Sequence, residues 1–117
     1  METLTIYHNP RCSKSRQALA LLQEHKVPLR IVEYLKEPPT RAELAGLRRK
    51  LGLPPAEWIR KGEAEFKEAR LDANSPEDKL LDAMAKHPIL IERPIVVRGD
   101  RAVVGRPPER VLELLGK

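Results

Sequence analysis

The order of strand and helix patterns along the chain is the feature that most limits its possible folds. Residues 3–7 alternate polar and apolar side chains and predict a strand, and residues 13–25 carry apolar residues at helical spacing. Residues 29–35 are mostly branched or aromatic and predict a second strand. A strand, a helix and a strand at this spacing form a βαβ unit, in which the strands lie parallel and the crossover is right-handed.

The middle of the chain, residues 40–87, predicts helices only. Thr40 and Glu43 have the spacing of a capping box, and Gly52 is placed to end the helix that they begin. Ser75 is predicted to cap a later helix, with Pro76 in its first turn.

Strand patterns return after this helical stretch. Residues 95–97 and 102–104 flank a Gly-Asp pair that suits a tight hairpin, and a last helix follows with Val111, Leu112 and Leu115 inward. A βαβ half followed by a ββα half predicts an α/β, thioredoxin-like fold with a mixed four-stranded sheet. At 117 residues we expect one domain, with a helical insertion at about 40–87 between its halves.

The composition limits the classes of partner. The net charge is +5, but acids are interleaved with the basic residues and only four aromatic residues (FWY) are present, so a base-stacking surface for nucleic acid is not expected. The sequence has neither an apolar run of membrane-spanning length nor a signal-peptide pattern. We therefore expect no membrane partner and a cytoplasmic location, where thiols stay reduced.

The only cysteine, Cys12, lies where a reactive thiol would be placed. It follows the first predicted strand and directly precedes the first predicted helix, and ligand sites in open α/β sheets lie at such carboxyl strand ends. Arg11, Lys14 and Arg16 lie within four residues of it. Helix N-termini and nearby cations favour the thiolate, which is the nucleophilic form of cysteine. Cys12 is therefore the candidate nucleophile.

Three kinds of cysteine site do not fit this loop. Ser15 stands where a dithiol oxidoreductase has its second cysteine, and Arg16 lies four residues after Cys12 instead of the six of a tyrosine-phosphatase loop. One cysteine and three scattered histidines give no metal-ligand spacing. What remains is a single thiol beside backbone N–H groups that can hold an anion, and any redox cycle needs a thiol from another molecule.

Three arginines in the rest of the chain are candidate anion ligands. Arg93 precedes Pro94, which in a thioredoxin-like fold is expected to be cis and to face the first loop. Arg106 follows the fourth predicted strand, and Arg60 lies in the helical stretch. Guanidinium groups bind oxyanions by paired hydrogen bonds, so convergence of these three on Cys12 is a hypothesis.

The sequence also resembles the glutaredoxin-linked arsenate reductase family (ArsC). The loop Arg11-Cys12-Ser13-Lys14-Ser15 is a variant, because the best-known members have small residues around the cysteine. The resemblance extends over nearly the whole chain, through Ile6–Pro10 with Cys12 and Ser15-Arg16, Tyr34-Leu35, Pro38–Thr40, Arg60-Lys61, His87–Ile91, Arg93–Val97 and Gly105–Pro107.

The resemblance implies an oxidoreductase with arsenate as substrate and no bound cofactor. Cys12 would be the nucleophile, His8 would help to keep it ionised, and the arsenate or arsenite would be bound by Arg60, Arg93 and Arg106. Glutathione would serve as co-substrate and glutaredoxin as the protein that completes reduction.

Two alternatives stay open. One is a reductase on the same scaffold that acts on another oxyanion or on a mixed disulfide. The other is an Spx-like regulator that binds RNA polymerase, although many of these carry a Cys-x-x-Cys switch that Ser15 breaks here.

Overall fold

The computed structural model describes residues 2–72 and 74–115. The strands in these residues are β1 (Leu4–His8), β2 (Leu29–Glu33), β3 (Ile95–Arg98) and β4 (Arg101–Val104). The α-helices are α1 (Ser13–Glu24), α2 (Arg41–Leu51), α3 (Ala64–Glu68) and α4 (Glu77–Lys86), and the 3-10 helices are Pro55–Glu57, Pro88–Leu90 and Pro108–Leu115. None of these helices is long and apolar enough to span a membrane.

The four strands form one mixed sheet in the order β2-β1-β3-β4. β1 is parallel to β2 and antiparallel to β3, and β3 is antiparallel to β4. The predicted βαβ and ββα halves and the α/β, thioredoxin-like sheet are therefore confirmed. The sheet belongs to a compact unit made of Met1–Glu37 and Arg93–Lys117, while Pro38–Glu92 forms a second unit.

The core of the sheet unit lies between the sheet and two helices. Leu4 and Ile6 point inward from β1, and Ala18 and Leu22 point inward from α1; all four are fully buried. Further core residues come from β3, β4 and the last helix: Val96, Val103, Val111 and Leu114.

The last helix differs from the prediction in its geometry. Residues 108–115 form a 3-10 helix, with Val111 and Leu114 buried and Leu112 and Leu115 only partly buried. A 3-10 helix has three residues per turn, so residues 111 and 114 share a face. The prediction was therefore right for Val111, while Leu112 and Leu115 are partly buried and pack against the core; it missed Leu114, because it assumed the 3.6-residue turn of an α-helix.

In the helical unit, α2 begins and ends as predicted. Thr40 Oγ1 accepts from the backbone N–H of Glu43 at 3.1 Å, and Glu43 Oε1 accepts from the N–H of Thr40 at 3.0 Å. Gly52 follows the helix with a φ of 67°, a left-handed conformation that favours glycine. Arg41 ties α2 to α4 through ion pairs with Asp78 and Asp82, at 2.9 and 2.7 Å.

Two predicted boundaries were wrong. Ser75 does not cap α4, because Pro76 has an extended backbone and occupies the N-cap position; Ser75 Oγ instead accepts from the N–H of Asp72 at 2.9 Å. β2 ends at Glu33 and not at Leu35, because the carbonyl of Glu33 accepts from the N–H groups of the third and fourth residues after it and closes a turn.

Gly105, which follows β4, lies very close to Pro94, which precedes β3. Its N–H donates to the carbonyl of Pro94 at 2.8 Å. A Cβ atom at this position would lie 2.8 Å from Pro94 Cγ and 2.9 Å from Val111 Cγ1, closer than real Cβ atoms approach other atoms. Only glycine allows this contact.

We therefore expect Gly105→Ala to lower the free energy of unfolding by about 1–3 kcal/mol, the usual cost of overpacking. Gly46→Ala is the matched control, because a Cβ there meets no atom closer than 3.9 Å and lies inside α2. That variant should gain about 0.5–1 kcal/mol. Urea denaturation measures both, and equal effects of the two substitutions would contradict the packing account.

Candidate active site

Cys12 is the N-cap residue of α1 and follows β1 by four residues. Its side chain is largely buried, with 9% exposed. The loop before it is closed by Asn9, whose carbonyl accepts from the N–H of Cys12 and whose Oδ1 accepts from the N–H of Arg11, both at 3.0 Å. These bonds fix the position of the thiol at the carboxyl end of β1, where it was predicted.

Ser15 connects the helix to the strand through its hydroxyl group. Its side chain is fully buried, its Oγ lies 2.6 Å from Nδ1 of His8, and the same Oγ accepts from the N–H of Asn9 at 3.0 Å. The sequence identified Ser15 as the residue that replaces a second cysteine. It gave no sign of these bonds, because they depend on how α1 packs against the end of β1.

His8 is buried at the end of β1, and its pKa lies below the usual 6.5. Burial is the main cause, because it disfavours the charged imidazolium. The negative charge of Glu33 acts in the opposite direction, and the positive charge of Arg16 lowers the pKa further. His8 is therefore mainly neutral at pH 7.

The other cations of the loop have different environments. Arg16 Nη1 donates to the carbonyl of Pro10 at 3.0 Å, so this side chain braces the loop from α1. Arg11 and Lys14 are exposed.

Arg93 and Arg106 lie at the same edge of the sheet as the Cys12 loop. β1 pairs Tyr7 with Ile95, so extending the antiparallel register by one residue brings His8 opposite Pro94. The hydrogen bond from Gly105 to Pro94 holds the end of β4 beside the start of β3. Arg106, the residue after Gly105, therefore lies on the side of β3 that faces away from β1.

The peptide bond between Arg93 and Pro94 is cis, which confirms that prediction; the bond between Arg106 and Pro107 is also cis. Arg93 Nε and Nη1 and Arg106 Nε are buried. Guanidinium groups at this edge of the sheet can bind an oxyanion by paired hydrogen bonds.

Arg60 lies in the second unit, the one formed by Pro38–Glu92. Its Nη1 is 2.7 Å from a carboxylate oxygen of Glu63, and its Nε is 3.8 Å from one of Glu92. The sequence gave no sign of either acid, because residues 60–63 lie outside any helix and the ion pairs depend on how this segment folds. The role of Arg60 as an oxyanion ligand stays a prediction.

Across the part of the chain that the structure describes, no group of three or more His, Cys, Asp or Glu side chains could hold a metal ion. At this edge of the sheet lie a thiol, the imidazole of His8, the carboxylate of Glu33 and several cations. Such a set suits nucleophilic attack on an anion.

Comparison with known proteins places the chain in a family. The model of the ArsC family matches residues 7–114. The chain belongs to the ArsC family. The resemblance found in the sequence is thus confirmed.

Relatives of this ArsC-family protein match it along nearly their whole length. The uncharacterized protein YfgD of Escherichia coli is 49% identical over 113 residues, which is 95% of each chain. The arsenate reductase of Neisseria meningitidis is 45% identical and covers 98% of this chain and 100% of its own. The solved structure of an arsenate reductase from Vibrio cholerae is 46% identical, with a TM-score of 0.90 over 96% of this chain and 97% of that one.

The hydroxyl of Ser15 should be necessary for stability. Ser15→Ala leaves His8 Nδ1 and the N–H of Asn9 without this partner in a buried place, which should cost about 1–3 kcal/mol of unfolding free energy. Ser13→Ala, the same change at an exposed position of the same helix turn, should stay within about 0.5 kcal/mol of wild type. Similar losses in both variants, measured by urea denaturation, would show that the bonds of Ser15 are not important.

The lowered pKa of His8 predicts a pH dependence of stability. Below pH 6.5 the unfolded chain takes up a proton at this residue more readily than the folded one. The contribution of neutral His8 to the free energy of unfolding is therefore complete above pH 6.5. It is lost as the pH falls through the folded-state pKa of this residue.

Urea denaturation at pH 7.5 and 5.5 should show a smaller fall in unfolding free energy for His8→Asn than for wild type. An NMR titration of the His8 ring protons gives an independent check. A midpoint at or above 6.5 would contradict the burial effect.

Proposed function

We propose that this protein is an arsenate reductase with the Cys12 thiolate as nucleophile. The observation that carries the proposal is the position of Cys12 at the N-cap of α1, at the edge of the sheet where Arg93 and Arg106 also lie. The names of the relatives from Neisseria meningitidis and Vibrio cholerae support arsenate as the substrate.

In the first step the sulfur of Cys12 forms a bond to arsenic, and a hydroxyl group of arsenate leaves as water. Arg93 and Arg106 would bind the remaining oxygens, and Arg60 is proposed as the third anion ligand. Preorganised cations stabilise the negative charge of the transition state without having to rearrange. His8, buried and bonded to Ser15, would help to keep the thiolate ready for attack.

The later steps need electrons from outside the protein. Arsenic(V) must gain two electrons to become arsenite, and Cys12 is the only cysteine of the chain. We propose that glutathione adds to the arsenic and that glutaredoxin then removes the glutathione as a mixed disulfide. The two external thiols together supply the two electrons, and hydrolysis of the sulfur–arsenic bond releases arsenite.

A steady-state assay with arsenate, glutathione, glutaredoxin and an NADPH-coupled reductase tests the proposal. Wild type should turn over, and Cys12→Ser should not, because an alcohol is a poor nucleophile at neutral pH. Absence of turnover by wild type, or equal turnover by Cys12→Ser, would overturn it.

The arginine assignment makes a sharper prediction. Lysine keeps the positive charge but cannot form paired hydrogen bonds, so Arg93→Lys and Arg106→Lys should each lower kcat/KM for arsenate by about tenfold to a hundredfold. The matched control is Arg101→Lys on β4, where the side chain is exposed. A comparable loss of kcat/KM in Arg101→Lys would contradict the assignment of Arg93 and Arg106 as anion ligands.

A further inference from the structure

A pocket of about 220 Å³ lies directly beside the Cys12 loop. One wall is the run His8–Arg11, which ends next to the cysteine in the chain. The opposite wall consists of Glu33, Leu35 and Lys36, from the end of β2 and the turn after it. We call this the β2 pocket.

The second wall of the β2 pocket has a fixed backbone and an exposed apolar side chain. The N–H groups of Lys36 and Glu37 both donate to the carbonyl of Glu33 at 2.9 Å, which holds the turn. Leu35 is 44% exposed, and among the described residues only it and Ile31 are large hydrophobic side chains with such exposure. Exposed apolar surface in a pocket next to a reactive group is a contact surface for a ligand.

The charges of the β2 pocket are mixed. Arg11 and Lys36 offer positive charge to a carboxylate, and Glu33 offers negative charge to an ammonium group. Lys36 Nζ lies 3.5 Å from Glu33 Oε1, but the lysine side chain is 79% exposed, and an ion pair of this kind opens at little cost. The pocket therefore suits a single residue that carries both a free α-amino and a free α-carboxyl group, as the γ-glutamyl residue of glutathione does.

We propose that the β2 pocket binds the amino-acid portion of a small peptide thiol and so directs its sulfur to the Cys12 loop. The inference rests on the proposed function and names the site of its co-substrate, glutathione. The volume is below that of a typical small-molecule site, so the pocket holds one amino-acid-sized part of the peptide. The step that it serves forms one sulfur–arsenic bond and releases one water molecule, which takes the thiol proton, and arsenic stays in the +5 state.

Exchange of Cys12 with disulfides tests the pocket without arsenate. The Cys12 thiolate attacks glutathione disulfide, forms a mixed disulfide and releases one glutathione, which mass spectrometry can follow. 3,3′-Dithiodipropionate is a probe of the same net charge that lacks the ammonium and peptide groups. The ratio of the two rate constants reports peptide recognition and cancels general electrostatic effects.

Leu35→Ser should lower the rate constant with glutathione disulfide by about fivefold to tenfold, since it removes one contact with the peptide. The rate constant with dithiodipropionate should stay within about twofold. Ile31→Ser is the matched control, because Ile31 is 45% exposed on β2 but does not line the pocket. It should leave both rate constants unchanged.

Equal changes with the two probes, no change with either, or an Ile31→Ser effect as large as that of Leu35→Ser would overturn the pocket assignment. With arsenate present, Leu35→Ser should raise the KM for glutathione and leave the KM for arsenate unchanged. If wild type does not reduce arsenate, the proposed function fails, but the exchange experiment still decides whether the pocket recognises a peptide.

Discussion

The buried hydroxyl of Ser15 is the interaction on which the geometry of the candidate site depends. It bonds to His8 at the end of β1 and to the backbone of Asn9 in the loop, while Ser15 itself belongs to the first turn of α1. Strand, loop and helix are thereby joined at one oxygen atom. Cys12 lies in the chain between these anchored points, so the bonds of Ser15 help to set the position of its thiol.

A second constraint joins the strand ends that carry Arg93 and Arg106. Gly105 lacks a side chain, and its backbone can therefore approach Pro94 closely enough for a hydrogen bond. Arg106 thus follows the end of β4, and Arg93 precedes the start of β3. The polar contacts of Ser15 position the thiol, and the close approach of Gly105 to Pro94 positions the two arginines. The register of the sheet relates the position of the thiol to those of the arginines.

Regular patterns allowed much of this architecture to be predicted from sequence. The alternation in β1, the helical spacing in α1 and the capping box at Thr40 are local signals, and the structure follows them. The position of Cys12 between β1 and α1 and the cis bond before Pro94 were also predicted, because both depend on the type of fold. The bonds of Ser15, the acids around Arg60 and the exposed Leu35 were not, since they depend on which side chains meet after the chain has folded.

The pairing of β1 with β3 has a consequence for the synthesis of the protein. Thr5 pairs with Val97, so β1 has β3 as its second neighbour only after the long stretch of chain between these two residues has been made. Contacts so distant in sequence form slowly, and chains leave the ribosome from the N-terminus. Cys12 is therefore translated well before Arg106, so a nascent chain carries the thiol for some time without the residues that follow β4.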